Sequence, residues 1–94
     1  MSYCRTTLVK FNSEILTDEA SDDYSKNAPS EFTEAEILIF TRTGPTSAIV
    51  ASVYPNENIS KKATAARNAR MDKAAHRRKS AEMHQGEVIL KLVR

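Results

Sequence analysis

Two β-rich runs on either side of a Gly-Pro pair constrain the fold more than any other feature of the sequence. The runs are Glu36–Thr43 and Thr46–Tyr54, and they flank Gly44 and Pro45. β-branched and aromatic residues favour strands. Glycine permits unusual backbone angles and proline fixes φ, so the pair is typical of a tight connection. The pattern predicts a β-hairpin, and hence a sheet against which the rest of the chain must pack.

Strands are also predicted near both ends of the chain. Polar and apolar residues partly alternate over Arg5–Phe11, which places Thr7, Val9 and Phe11 on one face of a first strand. The run "EVILKLV", residues 87–93, predicts a last strand. Residues 17–33, by contrast, are rich in serine and acidic side chains and contain a proline. We interpret them as a mobile acidic loop.

One long basic helix is predicted over about residues 58–85. Proline and glycine are absent from Ile59 to Gln85, and alanine, lysine and arginine, which are strong helix formers, dominate. Asn56 and Asn58 are both suitable N-cap residues for this helix, and Gly86 is suited to end it. The expected fold is therefore a single α+β domain, residues 1–94, with a four-stranded, mainly antiparallel sheet and the helix before the C-terminal strand.

The predicted strands carry apolar side chains on both faces, which indicates that both faces of the sheet are covered. Ile37 and Ile39 point one way and Leu38 and Phe40 the other. A single helix covers only one face of a sheet. The other face must be covered by the acidic loop or by a second copy of the chain. We expect the second copy, and hence a homodimer joined through sheet faces or edges.

Charge is divided unevenly between the two halves of the chain. Residues 1–58 contain nine acidic and four basic side chains, a net charge of −5, whereas residues 59–94 contain three acidic and ten basic ones, a net charge of +7. Such asymmetry is a compositional hint of a polyanionic partner. Neutralisation of one half by the other within the fold is the alternative.

The basic helix predicts a small, non-enzymatic protein that binds the phosphate backbone of nucleic acids, DNA or RNA, with a regulatory role. Cations on one side of a helix release the counterions condensed on phosphates. This raises the affinity for nucleic acids in general and does not select a particular base sequence. The alternative is a protein-interaction module that docks through an acidic surface of a larger enzyme and modulates or inhibits it, as phage accessory proteins do. The candidate nucleic-acid-binding residues are Lys62, Arg67, Arg70, Lys73, Arg77 and Arg78.

No catalytic residue, metal site or cofactor is predicted. His76 and His84 lie eight residues apart on the predicted helix, too far to share a metal, and two glycines are too few for a phosphate-binding loop. Cys4 is the only cysteine, which favours a reducing, cytoplasmic setting. No apolar run approaches the length that spans a membrane, so no membrane association is expected.

Overall fold

The computed structural model describes all 94 residues and arranges them as a four-stranded sheet with helices on one face. The strands are β1 (Tyr3–Phe11), β2 (Ile37–Gly44), β3 (Ser47–Tyr54) and β4 (Arg78–Glu87), and the α-helices are α1 (Glu14–Glu31), α2 (Glu57–Lys62) and α3 (Thr64–Lys73). A 3-10 turn, Ala75–Arg77, leads from α3 into β4.

All neighbouring strands are antiparallel, in the order β2-β3-β1-β4. The order of elements along the chain, β-α-β-β-α-β, and this sheet make the fold ferredoxin-like. The predicted α+β class and four-stranded antiparallel sheet are confirmed. The predicted hairpin is confirmed as well: Pro45 and Thr46 connect its two strands, β2 and β3.

Alternation along the strands gives the sheet two different faces. The side chains of Arg5, Thr7, Val9 and Phe11 are buried on the face that the helices cover. The opposite face is less covered, although Val53 on this face is buried. It carries exposed apolar side chains on three strands: Leu8, 41 % exposed, Ile39, 50 %, and Ile49, 37 %.

The acidic segment 17–33 is helical rather than a loop, so this part of the sequence prediction was wrong. Ser13 caps α1, its Oγ accepting a hydrogen bond from the Leu16 amide at 3.1 Å. Thr17 and Ala28 are fully buried on the inner side of the helix. Pro29 lies in the last turn. Small inward residues and the cap therefore hold a helix that its polar composition conceals.

The predicted helix over residues 58–85 is also wrong in its extent, because its second half is strand β4. Asn56 does cap the first helix, accepting a hydrogen bond from the Ile59 amide at 2.9 Å. Gly86 does not end a helix; it lies in β4 opposite Cys4 of β1. β1 is an inner strand, and its second edge needs backbone hydrogen-bond partners along its length. Meeting this need outweighs the helix propensity of residues 78–87.

The predicted C-terminal strand lies outside the sheet. Residues 88–94 have no regular secondary structure. They lie beside the residues that immediately precede β1 and β2. The Val88 amide donates a hydrogen bond to the Ser2 carbonyl at 2.9 Å, and Lys91 Nζ lies 3.0 Å from Glu36 Oε2.

None of the helices combines the length and the apolar character that crossing a lipid bilayer requires.

Candidate active site

A partly open cavity of about 110 Å³ lies between the covered face of the sheet and the helices. Its floor consists of the inward side chains of β1, from Arg5 to Phe11, and of Val50, Ser52 and Tyr54 of β3. Ten of the eighteen lining residues are hydrophobic. Engineered apolar cavities of about 150 Å³ bind benzene. One aromatic ring would therefore fill this smaller cavity and extend through its open side.

Aromatic side chains form much of the wall. Tyr24 of α1 packs on Phe40 of β2, with ring centroids 5.3 Å apart and ring planes tilted by 42°. Phe32, just after α1, and Met71 of α3 complete the apolar lining. These groups suit a planar, apolar ligand, since aromatic rings pack well in tilted or offset arrangements.

Five arginines line the same cavity, and two of them are neutralised by carboxylates of α1. Arg70 Nη1 lies 2.8 Å from Asp23 Oδ2, and Arg70 Nη2 lies 2.6 Å from Glu31 Oε2. Arg77 contacts Asp23 at 3.4 Å and Glu19 at 3.8 Å. The acidic residues recur on one side of α1, facing α3 and the turn after it. Part of the charge asymmetry between the two halves is therefore neutralised within the fold.

The other three arginines, Arg5, Arg67 and Arg78, form no ion pair with any carboxylate. Arg5, only 5 % exposed, donates from Nη2 to the Ser60 carbonyl at 3.2 Å. Arg78 donates from Nη1 to the Met71 carbonyl. Burial lowers the pKa of Arg67 below its usual value, and the nearby positive charges of Arg5 and Arg78 lower it further. This end of the cavity therefore carries uncompensated positive charge.

Two tyrosines add hydroxyl groups to the lining. Burial and the neighbouring Tyr54 raise the pKa of Tyr24 to about 12, although Arg70 opposes the shift, so this hydroxyl stays protonated near neutral pH. The Tyr54 hydroxyl is buried and has no hydrogen-bond partner in the protein, and the same is true of Arg5 Nε. Buried polar groups normally find partners. Since Arg5 and Tyr54 both line the cavity, these atoms are candidate hydrogen-bond donors to a bound ligand.

The structure separates the predicted nucleic-acid-binding residues into two groups. Arg67, Arg70, Arg77 and Arg78 face the cavity. Lys62 is exposed on α2, and Lys73 lies at the end of α3, beside the ion pairs of Arg70. The sequence reasoning missed Arg5, Asp23, Tyr24 and Tyr54. Arg5 was detectable, because it shares the inward-facing alternation of Thr7, Val9 and Phe11.

The cavity does not present the ligands of a metal ion. Asp23 is the one carboxylate in its lining, no histidine lines it, and Asp23 is already paired with arginines. Elsewhere, too, no three histidine, cysteine or acidic side chains come together in an arrangement that could hold a metal.

No family model matches the sequence, and no curated protein matches it either. Solved structures do share the fold. A dimeric ferredoxin-like protein from an uncultured marine organism is similar over 99 % of this chain and 92 % of its own, with 9 % sequence identity and a TM-score of 0.78. SnoaB, a cofactor-independent oxygenase from Streptomyces nogalater, is 9 % identical over 97 % of this chain and 96 % of its own, with a TM-score of 0.73.

A monooxygenase from Streptomyces coelicolor, ActVA-Orf6, solved in complex with nanaomycin D, is similar as well. It is 5 % identical over 99 % of this chain and 92 % of its own, with a TM-score of 0.77. At such identities the likeness establishes a shared fold.

The predictions of a nucleic-acid-binding or regulatory protein, of the docking module and of a non-enzymatic function are contradicted by these findings. The structures that share the fold along almost their whole length include oxygenases. The arginines expected to meet phosphates line an internal cavity, and Arg70 and Arg77 are occupied by the chain's own carboxylates. The sequence prediction failed because it placed these side chains on one continuous helix projecting beyond the sheet.

Proposed function

We propose that the protein is a cofactor-independent oxygenase that oxidises an aromatic substrate with an enolisable CH₂ group. The observation that carries this proposal is the cavity itself: aromatic walls, uncompensated guanidinium groups and an unpartnered tyrosine hydroxyl occur together. The fold that it shares with SnoaB and ActVA-Orf6 supports the same reaction class.

The arginine end of the cavity would favour the reactive form of such a substrate. An enolate oxygen placed beside Arg5 and Arg67 gains favourable electrostatic interactions that the neutral ketone does not, so its effective pKa falls. The proton leaves to water through the open side of the cavity. No basic side chain is needed, since the positive field performs the activation and Asp23 is already held by Arg70 and Arg77.

The reaction balances without an external reductant. The enolate gives one electron to O₂, the resulting radicals combine to form a C–O bond, and the peroxide loses water to leave a ketone. Overall, R₂CH₂ + O₂ gives R₂C=O + H₂O, and the four electrons come from the CH₂ group. The hydroxyls of Tyr24 and Tyr54 can donate hydrogen bonds to the substrate oxygen or to the peroxide.

Anthrone provides the direct test, because its CH₂ group enolises and its oxidation product, anthraquinone, absorbs at distinct wavelengths. With desalted, EDTA-treated protein, we expect oxygen uptake and anthraquinone formation at one O₂ per anthrone, well above the rate in buffer. With ¹⁸O₂, one labelled oxygen should enter the new carbonyl. A rate equal to that of heat-denatured protein would overturn the proposal.

We also propose that the protein is a homodimer in which the uncovered faces of two sheets meet. The apolar side chains of Leu8, Ile39 and Ile49 on this face favour a second copy, and the exposed apolar residues of segment 88–94 enlarge the surface that needs cover. A neighbour in fold is described as dimeric.

Light scattering should then give a mass twice that of the 10.5 kDa chain. Ile39→Glu should convert the protein to monomers, because a carboxylate would be buried at the interface without a partner. Ile15→Glu is the matched control: Ile15 is 71 % exposed on α1, away from the sheet face, and its replacement should leave the dimer intact. A wild-type mass of one chain at micromolar concentration would exclude the dimer.

A further inference from the structure

We propose that the ligand of the cavity carries a carboxylate in addition to its reacting oxygen, and that the cluster of Arg5, Arg67 and Arg78 binds both anionic groups. The inference rests on the proposed function for the reacting oxygen, and it adds the substrate class: an aromatic acid. The three arginines come from β1, α3 and β4, and all of them line the cavity.

The charge of the cavity favours a ligand with more than one negative group. Its lining holds five arginines, and three carboxylates, those of Glu19, Asp23 and Glu31, neutralise Arg70 and Arg77. Five cations against three anions leave two positive charges. An enolate oxygen supplies one negative charge, so one further anionic group on the ligand would complete the balance.

The arginines are held together at a cost that their hydrogen bonds to backbone carbonyls offset only in part. Arg67 is half-buried beside Arg5 and Arg78, and burial together with these two like charges lowers its pKa. Uncompensated charges in a protein interior are unfavourable for folding. Such an arrangement is typical of sites where binding, rather than stability, determines which side chains are present.

Two of the three buried side-chain atoms without a hydrogen-bond partner lie at the same end of the cavity; the third is Nε of the ion-paired Arg77. Arg5, 5 % exposed, has an Nε without a partner, and Tyr54, fully buried, has an unpartnered hydroxyl. The Arg5 guanidinium carbon lies 5.8 Å from the centre of the Tyr54 ring, so the two donors belong to one contact pair. The planar guanidinium fork matches the two oxygens of a carboxylate.

A matched pair of ligands tests the proposal by calorimetry: 2-naphthoate and 2-naphthamide, which have nearly the same shape and differ in charge. One ring fits the cavity and the second reaches its open side. We expect 2-naphthoate to bind at least ~10-fold more tightly, in line with the strength of hydrogen bonds between charged groups.

Arg67→Met should weaken 2-naphthoate binding ~10-fold and leave 2-naphthamide binding unchanged. The same variant should melt at a higher temperature than the wild type, because it relieves repulsion with Arg5 and Arg78. Lys62→Met removes the same charge from an exposed site outside the cavity, so it should change neither affinity. Arg78→Met provides a second test of the cluster.

Equal affinity for the two ligands would overturn the proposal, as would the absence of 2-naphthoate binding at millimolar concentration. A loss of affinity in Lys62→Met as large as that in Arg67→Met would also overturn it, since general electrostatic attraction would then be sufficient. Neither naphthalene ligand has an enolisable CH₂ group. The result is therefore independent of whether anthrone is oxidised, and a failed oxygenase assay would leave a preference for 2-naphthoate standing.

Discussion

Arg5→Gln is expected to lower the rate of anthrone oxidation about 100-fold, because removing one donor to a developing oxyanion typically has an effect of this size. Arg5 is buried in the floor of the cavity and forms no ion pair, so its positive charge is free to stabilise an enolate. Glutamine removes the charge and keeps a group that can hydrogen-bond to Ser60. Steady-state oxygen uptake measures the effect on kcat.

Lys10→Gln is the matched control for this variant. Lys10 is also on β1 and also cationic, but it is exposed and lies on the opposite face of the sheet. Its replacement should leave the rate unchanged. If Arg5→Gln, folded as judged by circular dichroism, retained a rate within threefold of the wild type, the electrostatic role assigned to Arg5 would be wrong.

Arg70→Met is expected to lower the free energy of unfolding by about 2–3 kcal/mol, or Tm by roughly 10–20 °C. Arg70 is only 14 % exposed at its side chain and joins α3 to α1 through Asp23 and Glu31. Its guanidinium also lies 5.6 Å from the centre of the Tyr24 ring. The expected loss of stability is smaller than for a fully buried ion pair, because both carboxylates keep some contact with water.

The pH dependence of the stability difference between wild type and Arg70→Met gives an independent check. Burial alone would raise the pKa of Asp23, but a hydrogen bond from Asn27 and the charges of Arg70 and Arg77 together outweigh it and lower the pKa. A depressed carboxyl pKa stabilises the fold above the unfolded value of about 3.9, and this contribution is lost as pH falls through the folded pKa. Denaturant titrations should therefore show the gap between wild type and Arg70→Met shrinking below about pH 4.

The exposed pair of Lys26 and Asp22, also on α1, is the control for the network. Their charged groups lie 2.9 Å apart, but both side chains are more than 60 % exposed. Lys26→Met should cost less than about 0.5 kcal/mol. If Lys26→Met and Arg70→Met lowered the free energy of unfolding equally, the inter-helix contacts would contribute nothing beyond local helix stability.

The expectation of a polyanionic partner depended on arginines that the fold turns inward. Sequence spacing placed Arg70 and Arg77 on one continuous helix and carried no information about α1. The acidic residues that bind them, Asp23 and Glu31, lie more than 35 positions away in the chain. Their four- and eight-residue spacings from Glu19 to Glu31 are the signal that could have indicated one helical face.

The sequence by itself determined the β-hairpin, the inward face of β1 and a helix N-cap at Asn56 or Asn58, because strand alternation, the Gly-Pro turn and capping act between residues close in the chain. Only the tertiary structure decided that residues 14–31 form a helix, that residues 78–87 form a strand and that three arginines meet without a carboxylate. The physical reason is the same in each case. Each outcome depends on distant segments coming together. Only then does α1 have a surface to be buried against, β1 have a partner for its second edge, and the three arginines share a cavity.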